Sequence, residues 1–219
     1  WIIALLLLGV TGIMRLLGIF VEVLLFLSFL SYVLIFFLFV RRESWREAGW
    51  TSRFPRLYLP LGALSGIGTT LLSYGICYAA FGNSNSNWYV ELANSLPERT
   101  LISLVGFTLI MMTMSPFTEE LFFRGVMQTS LRKRFPLLPT LFLINVPWGI
   151  VHISQFGVHV TDGVVVFNLA LTAGLMLSVL IGGFVSGLLF EKSKSLMPSM
   201  ISHSIGNLVT SFLAFTILT

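Results

Sequence analysis

Apolar residues dominate seven stretches of the chain: about 1–14, 21–40, 57–81, 100–122, 137–154, 164–190 and 198–218. A helix needs roughly 20 such residues to cross a bilayer, and several of these runs approach or exceed that length. None shows the period-2 alternation of an outer-membrane barrel strand. The pattern predicts an all-α, polytopic membrane protein of about seven to eight transmembrane helices enclosing a polar intramembrane cavity. The eighth helix would come from residues ahead of Trp1, or from a break of 164–190 at Gly182-Gly183.

The polar stretches between these runs alternate in charge. Residues 41–56 carry Arg41, Arg42, Arg46, Arg53 and Arg56, whereas 82–99 carries only Arg99. Residues 131–136 carry Arg132, Lys133 and Arg134, 155–163 carries no lysine or arginine, and 191–197 carries Lys192 and Lys194. The rich stretches are expected on the cytosolic side. The first interleaves its arginines with Trp45, Trp50 and Phe54, which suits either a segment lying in the membrane interface or a plain cytosolic loop. The stretch 82–99 is polar and turn-rich and reads as an external loop.

Composition agrees. Of 219 residues, 56% are hydrophobic and 10% charged, with a mean hydropathy of +0.92, against about 25% charged in soluble domains. The net charge of +4 belongs with cytosolic loops, and no nucleic-acid partner is expected. The whole chain, 1–219, reads as one integral-membrane domain. Its first residue is tryptophan, so N-terminal residues are expected to be missing, and no signal-peptide cleavage pattern is visible. Cys77 reads as a small buried apolar residue.

A charge at the bilayer centre costs about 2.5–3.5 kcal/mol on insertion scales, so polar residues inside apolar runs are functional candidates. They are Arg15, Glu22, Glu119, Glu120, Arg124, His152, His203 and Asn207. Arg15 and Glu22 fall at segment ends or pair with each other and read as structural, and His159 falls in an expected outer loop. Glu120 and Arg124 are four apart, share a helix face and can pair. Glu119 is rotated about 100° from Glu120 and keeps a carboxylate that can face a water-filled cavity as a general base. Trp148 lies one turn before His152 on the same face, and His203 and Asn207 share another face. No HExxH or rhomboid-type serine motif occurs, and Asp162 is the one aspartate, so an aspartyl dyad is excluded. A protease built on this chain has to use glutamate and histidine.

Glu119-Glu120-Leu-Phe-Phe-Arg124 matches EExxxR, Trp148-Gly-Ile-Val-His152 resembles FxxxH with tryptophan at the aromatic position, and His203-Ser-Ile-Gly-Asn207 matches HxxxN. In this order and approximate spacing the motifs resemble those of the type II CAAX prenyl endopeptidases, within the larger CAAX protease and bacteriocin-processing (Abi) family. The resemblance covers about residues 100–210, the expected catalytic helical core being 100–219. Residues 1–99, read as N-terminal helices and loops, carry no such motif.

The resemblance implies an intramembrane endopeptidase that releases the C-terminal tripeptide of prenylated CAAX proteins after the lipidated cysteine. It implies that Glu119 with His152 activates water, that His203 and Asn207 stabilise the oxyanion, and that Glu120 and Arg124 hold Glu119, with Trp148 in support. The lipid chain would enter from the bilayer and the peptide from the cytosolic side. The implied partners are a prenylated CAAX C-terminus and membrane lipid; the oligomeric state stays open. A prokaryotic plasma membrane is favoured over the endoplasmic reticulum.

Glu119, His152 and His203 could instead ligate zinc around an open position. Two features favour a metal-free reaction: no two histidines share a helix face, and Asn207 suits an oxyanion better than zinc. Other open readings are a relative that processes non-prenylated peptides, a non-catalytic immunity or scaffold protein, and a transporter or proton relay. One geometric conflict is expected. His203 lies about five residues from the cytosolic end of its helix and His152 about fifteen from its own, a difference in depth of roughly 15 Å. Pro147 or Pro116 could bend a helix enough to reconcile them.

Overall fold

The computed structural model describes residues 45–51, 53–95, 100–161 and 164–216. The expected segments at 1–14 and 21–40, with Arg15, Glu22, Arg41 and Arg42, lie outside these residues, as do Arg99 and Asp162. The described chain is mostly helical: α1 (Tyr58–Phe81), α2 (Trp88–Ser95), α3 (Leu101–Glu120), α4 (Thr129–Arg132), α5 (Leu137–Phe156), α6 (Leu169–Ser193) and α7 (Leu196–Thr216). Residues Leu121–Gln128 join α3 to α4 as a π-helical turn. Among the described residues three helices are long and apolar enough to cross a membrane: Tyr58–Phe81, Leu101–Arg132 and Leu169–Ser193. The expected count of seven to eight is not reached among the described residues.

Three expectations are corrected. The stretch 82–99 is not merely an external loop: α2 folds back into the bundle and buries Trp88, Tyr89, Val90, Leu92 and Ala93. Its aromatics bury enough apolar surface to hold the helix there, while Asn83, Ser84 and Asn85 ahead of it stay exposed. The Trp88 indole donates to Ser178 at 2.9 Å, and Tyr89 Oη to Ser73 at 3.1 Å. Burial pushes the Tyr89 phenol up, keeping that hydroxyl protonated. Secondly, the all-α expectation misses an antiparallel hairpin, β1 (Val158–Thr161) with β2 (Val164–Phe167), in register Val158 to Phe167 and Thr161 to Val164. The apolar run at 164–190 therefore begins as a β-branched strand. Thirdly, α6 continues unbroken through Gly182-Gly183, so no extra helix arises there.

The bundle is inside out relative to a soluble one. Along α1 the buried residues are Gly62, Gly66, Thr70, Ser73 and Cys77, while Leu64, Leu71 and Leu72 are exposed. Large apolar side chains facing outward and small ones facing a neighbour are the pattern of helices packed in lipid. A Cβ on Gly66 would lie 2.2 Å from the Ser202 carbonyl oxygen of α7, and Ser65 and Ser202 share a hydroxyl hydrogen bond of 2.9 Å beside it. Gly66→Val is expected to force α1 and α7 apart and destabilise the protein by about 1–3 kcal/mol. A lowered melting temperature in detergent would show it; unchanged melting would rule out this close backbone contact.

The three basic stretches meet at one end of the bundle. The Leu196 N–H donates to the Gly49 carbonyl at 2.9 Å, and Ser195 Oγ to the Thr51 carbonyl at 2.8 Å. Arg132 and Lys194 both pair with Glu191, at 3.1 and 3.0 Å. The turn at 45–51 thereby covers the start of α7, where Ser195 and Leu196 are 0% exposed.

Candidate active site

Pro116 sets the site's frame. It stands inside α3 and has no N–H, so the Met112 carbonyl loses its helical partner. Ser204 Oγ of α7 takes that carbonyl at 2.6 Å, and Asn207 Nδ2 donates to the adjacent Met111 carbonyl at 2.7 Å. Two polar side chains of α7 are thus fastened to the defect in α3, bringing His203 beside the glutamates. Beyond Glu120 the helix widens to an i→i+5 ladder, with Thr129 N–H donating to the Arg124 carbonyl, a feature common at functional sites. Every residue of this turn is buried.

The two glutamates have separate partners. Glu120 is 1% exposed; its Oε2 accepts from Arg124 Nε at 3.2 Å and its Oε1 from His203 Nδ1 at 3.0 Å. Arg124, fully buried, reaches Asn145 Oδ1 with Nη1 at 3.0 Å. Glu119, 7% exposed, accepts from Ser115 Oγ at 2.8 Å and from Trp148 Nε1 at 3.0 Å. Glu120 and Arg124 therefore lock one another, His203 and Asn145. The carboxylate of Glu119 is oriented by Ser115 and Trp148.

Trp148 is the hub. Its ring makes edge contacts with His152 at 5.3 Å and with His203 at 5.8 Å, and the Arg124 guanidinium sits 5.4 Å from its centroid. Gly183 makes room for it: a Cβ there would lie 2.8 Å from the indole Cζ3 and 2.3 Å from Asn145 Oδ1. His152 Nδ1 donates to the Trp148 carbonyl at 2.8 Å, which leaves the lone pair of the neutral ring on Nε2.

The expected difference in depth between the histidines is therefore absent. Pro147 does not end α5, which runs on to Phe156. The α7 start is buried beneath the 45–51 turn, whereas Leu138 at the α5 start is 60% exposed. His152 and His203 both contact the Trp148 ring, at 5.3 and 5.8 Å, so the two helices bring them side by side.

Of the sequence candidates, Glu119, Glu120, Arg124, Trp148, His152 and His203 form one connected cluster. Asn207 lies one turn from His203, its amide anchored on α3. Ser115 and Asn145 join the cluster from outside the sequence candidates, though each carries a signal: a serine one helical turn before Glu119, and an asparagine inside an apolar run.

Both Glu119 oxygens and both histidine Nδ1 atoms are already engaged, and among the described residues no three His, Cys, Asp or Glu side chains are gathered to hold an ion.

Residues 101–209, about half of the chain, match the family model described as type II CAAX prenyl endopeptidase Rce1-like. Through this segment the chain belongs to that family. The family is one of CAAX-type intramembrane proteases, and the matched segment contains every member of the cluster. No individual curated protein and no solved structure shows a significant match.

Trp148 carries a test of this geometry. Trp148→Phe keeps an aromatic ring between the histidines but removes the N–H that orients Glu119. A hydrogen bond to a charged group contributes about 1.5–3 kcal/mol, so kcat is expected to fall roughly tenfold or more with KM little changed. An unchanged kcat would show that the indole N–H does not position Glu119.

Proposed function

We propose that the protein is an intramembrane endopeptidase that removes the C-terminal tripeptide from prenylated CAAX proteins, cutting after the lipidated cysteine without a metal. The observation that carries this reading is the gathering of Glu119, His152 and His203 around Trp148 within a segment of that protease family.

In this mechanism Glu119, with His152 Nε2, takes a proton from water as its oxygen attacks the scissile carbonyl. General-base help of this kind contributes about 10²–10⁴ in rate. The negative charge that develops on the carbonyl oxygen is met by Asn207 and His203. One hydrogen of Asn207 Nδ2 is anchored on Met111, and the other serves as donor. His203 Nε2 donates when the ring holds both protons, with Glu120 as its counter-charge. The proton held by Glu119 then passes to the leaving amine. The prenyl chain reaches the cluster from the bilayer, and the peptide arrives from the cytosolic side of a prokaryotic plasma membrane.

The test uses purified protein in liposomes with a farnesylated CAAX peptide and its unprenylated twin, read by mass spectrometry with and without a strong chelator. The expected result is loss of a tripeptide from the lipidated peptide alone, indifferent to chelator. Cleavage of the twin would point to non-prenylated peptides, chelator sensitivity to a metal, and cleavage of neither to a non-catalytic role.

A further inference from the structure

The basic end of the bundle holds a cavity of about 700 Å³, lined in part by Arg46, Arg53 and Arg56 together with Trp50, Phe54 and Met197. None of Glu119, His152, His203 and Asn207 lines it. The volume falls within the 300–1,000 Å³ of small-molecule sites. The three guanidinium groups have no ion pair among the described residues, and Glu47 is the one acidic residue between Trp45 and Leu59. Three cations round one concavity in this setting call for an anion, and arginine favours phosphate through its planar fork of donors.

The apolar part of the lining narrows the class. Trp50 and Phe54 stand beside the arginines, and Trp50 is 46% exposed. The cavity also lies where α1 and α7 begin, at the end where the basic stretches meet. Aromatic rings at that level contact the glycerol and upper acyl region of a bilayer, while arginines reach the headgroup. A wholly polar anion would leave those rings unused. We propose that this cavity binds the phosphate-bearing headgroup of an anionic membrane phospholipid.

The position gives the lipid a structural effect. Trp50 packs edge-on against Phe117 at 5.6 Å, two residues before Glu119. Met197 follows Leu196, whose N–H is tied to Gly49, at the start of the helix that carries His203. A headgroup seated here braces the 45–51 turn against α3 and α7, two of the helices that supply the cluster. This inference does not depend on the chain being a protease.

Native mass spectrometry of the detergent-solubilised protein tests it, with phosphatidylglycerol and phosphatidylcholine offered in equal amounts. An arginine near an anionic surface contributes about a fivefold preference, so wild type is expected to retain phosphatidylglycerol at least tenfold over phosphatidylcholine. The Arg46→Gln/Arg53→Gln/Arg56→Gln variant is expected to lose that preference, and Arg134→Gln, outside the cavity, to keep it. If the triple variant does not fold, the three single variants decide, each expected to cost about fivefold. Equal retention of the two lipids would overturn the proposal, as would full phosphatidylglycerol retention in the arginine variants. Inorganic phosphate, added alone, is expected not to raise the melting temperature as phosphatidylglycerol does; an equal rise would make this a free-phosphate site and overturn the lipid assignment.

Discussion

Glu119→Gln is expected to lower kcat by about 10²–10⁴ while leaving the protein folded. Glutamine fits the pocket of Glu119 without orphaning either neighbour. Its oxygen accepts from Trp148 Nε1, and its amide donates to Ser115 Oγ once that hydroxyl rotates. What it lacks is the lone pair that takes a proton from water at neutral pH. Single-turnover kinetics on a farnesylated peptide reads the loss, and a melting curve in detergent reads the fold. A glutamine variant that cuts at the wild-type rate would remove Glu119 from the chemistry.

Arg124→Met is expected to act on stability before it acts on rate. Arg124 is fully buried and joins Glu120 to Asn145. Methionine fills much of the volume but leaves a carboxylate at 1% exposure without its guanidinium. Breaking one side of a buried pair costs about 3–5 kcal/mol. The variant should therefore melt well below wild type or fail to accumulate. Arg124→Lys is expected to rescue little, because one ammonium cannot present the fork that meets Glu120 and Asn145 together. Wild-type melting of either variant would show that the Glu120 carboxylate does not depend on this partner.

These two expectations follow from the separate partners of Glu119 and Glu120, a separation largely legible in the sequence. Spacing alone pairs Glu120 with Arg124 and sets Glu119 apart, and the structure keeps that distinction. The His203 link to Glu120 was not legible, because it joins two helices whose relative placement is set by long-range contacts of Ser204 and Asn207 with α3. The expected conflict between His152 and His203 does not arise, since both rings meet Trp148. Ser115 and Asn145 were readable in principle: each is a polar residue at helical spacing in an apolar run, but neither carries a charge.

In the fold, the long apolar helices were evident from run length, and the basic stretches do converge at one end. The buried helix α2 was hidden by the polar run that precedes it, since GNSNSN outweighs Trp88 and Tyr89 in composition though not in buried area. The hairpin was signalled by Asp162-Gly163 between two valine-rich stretches, a two-residue turn pattern overshadowed by the apolar run it interrupts. The π-helical turn had no local signal. Pro116 marks where α3 loses a hydrogen bond, but which side chains take up the freed carbonyl is decided by α7.

The most direct measurement compares tripeptide release from one farnesylated CAAX peptide by wild type, Glu119→Gln and Glu120→Gln in the same lipid nanodiscs, with melting curves for all three. The expected result is release by wild type alone, with Glu119→Gln melting like wild type and Glu120→Gln melting lower. Release by Glu119→Gln at the wild-type rate, or none by folded wild type, would contradict the assignment of Glu119 as the base that activates water.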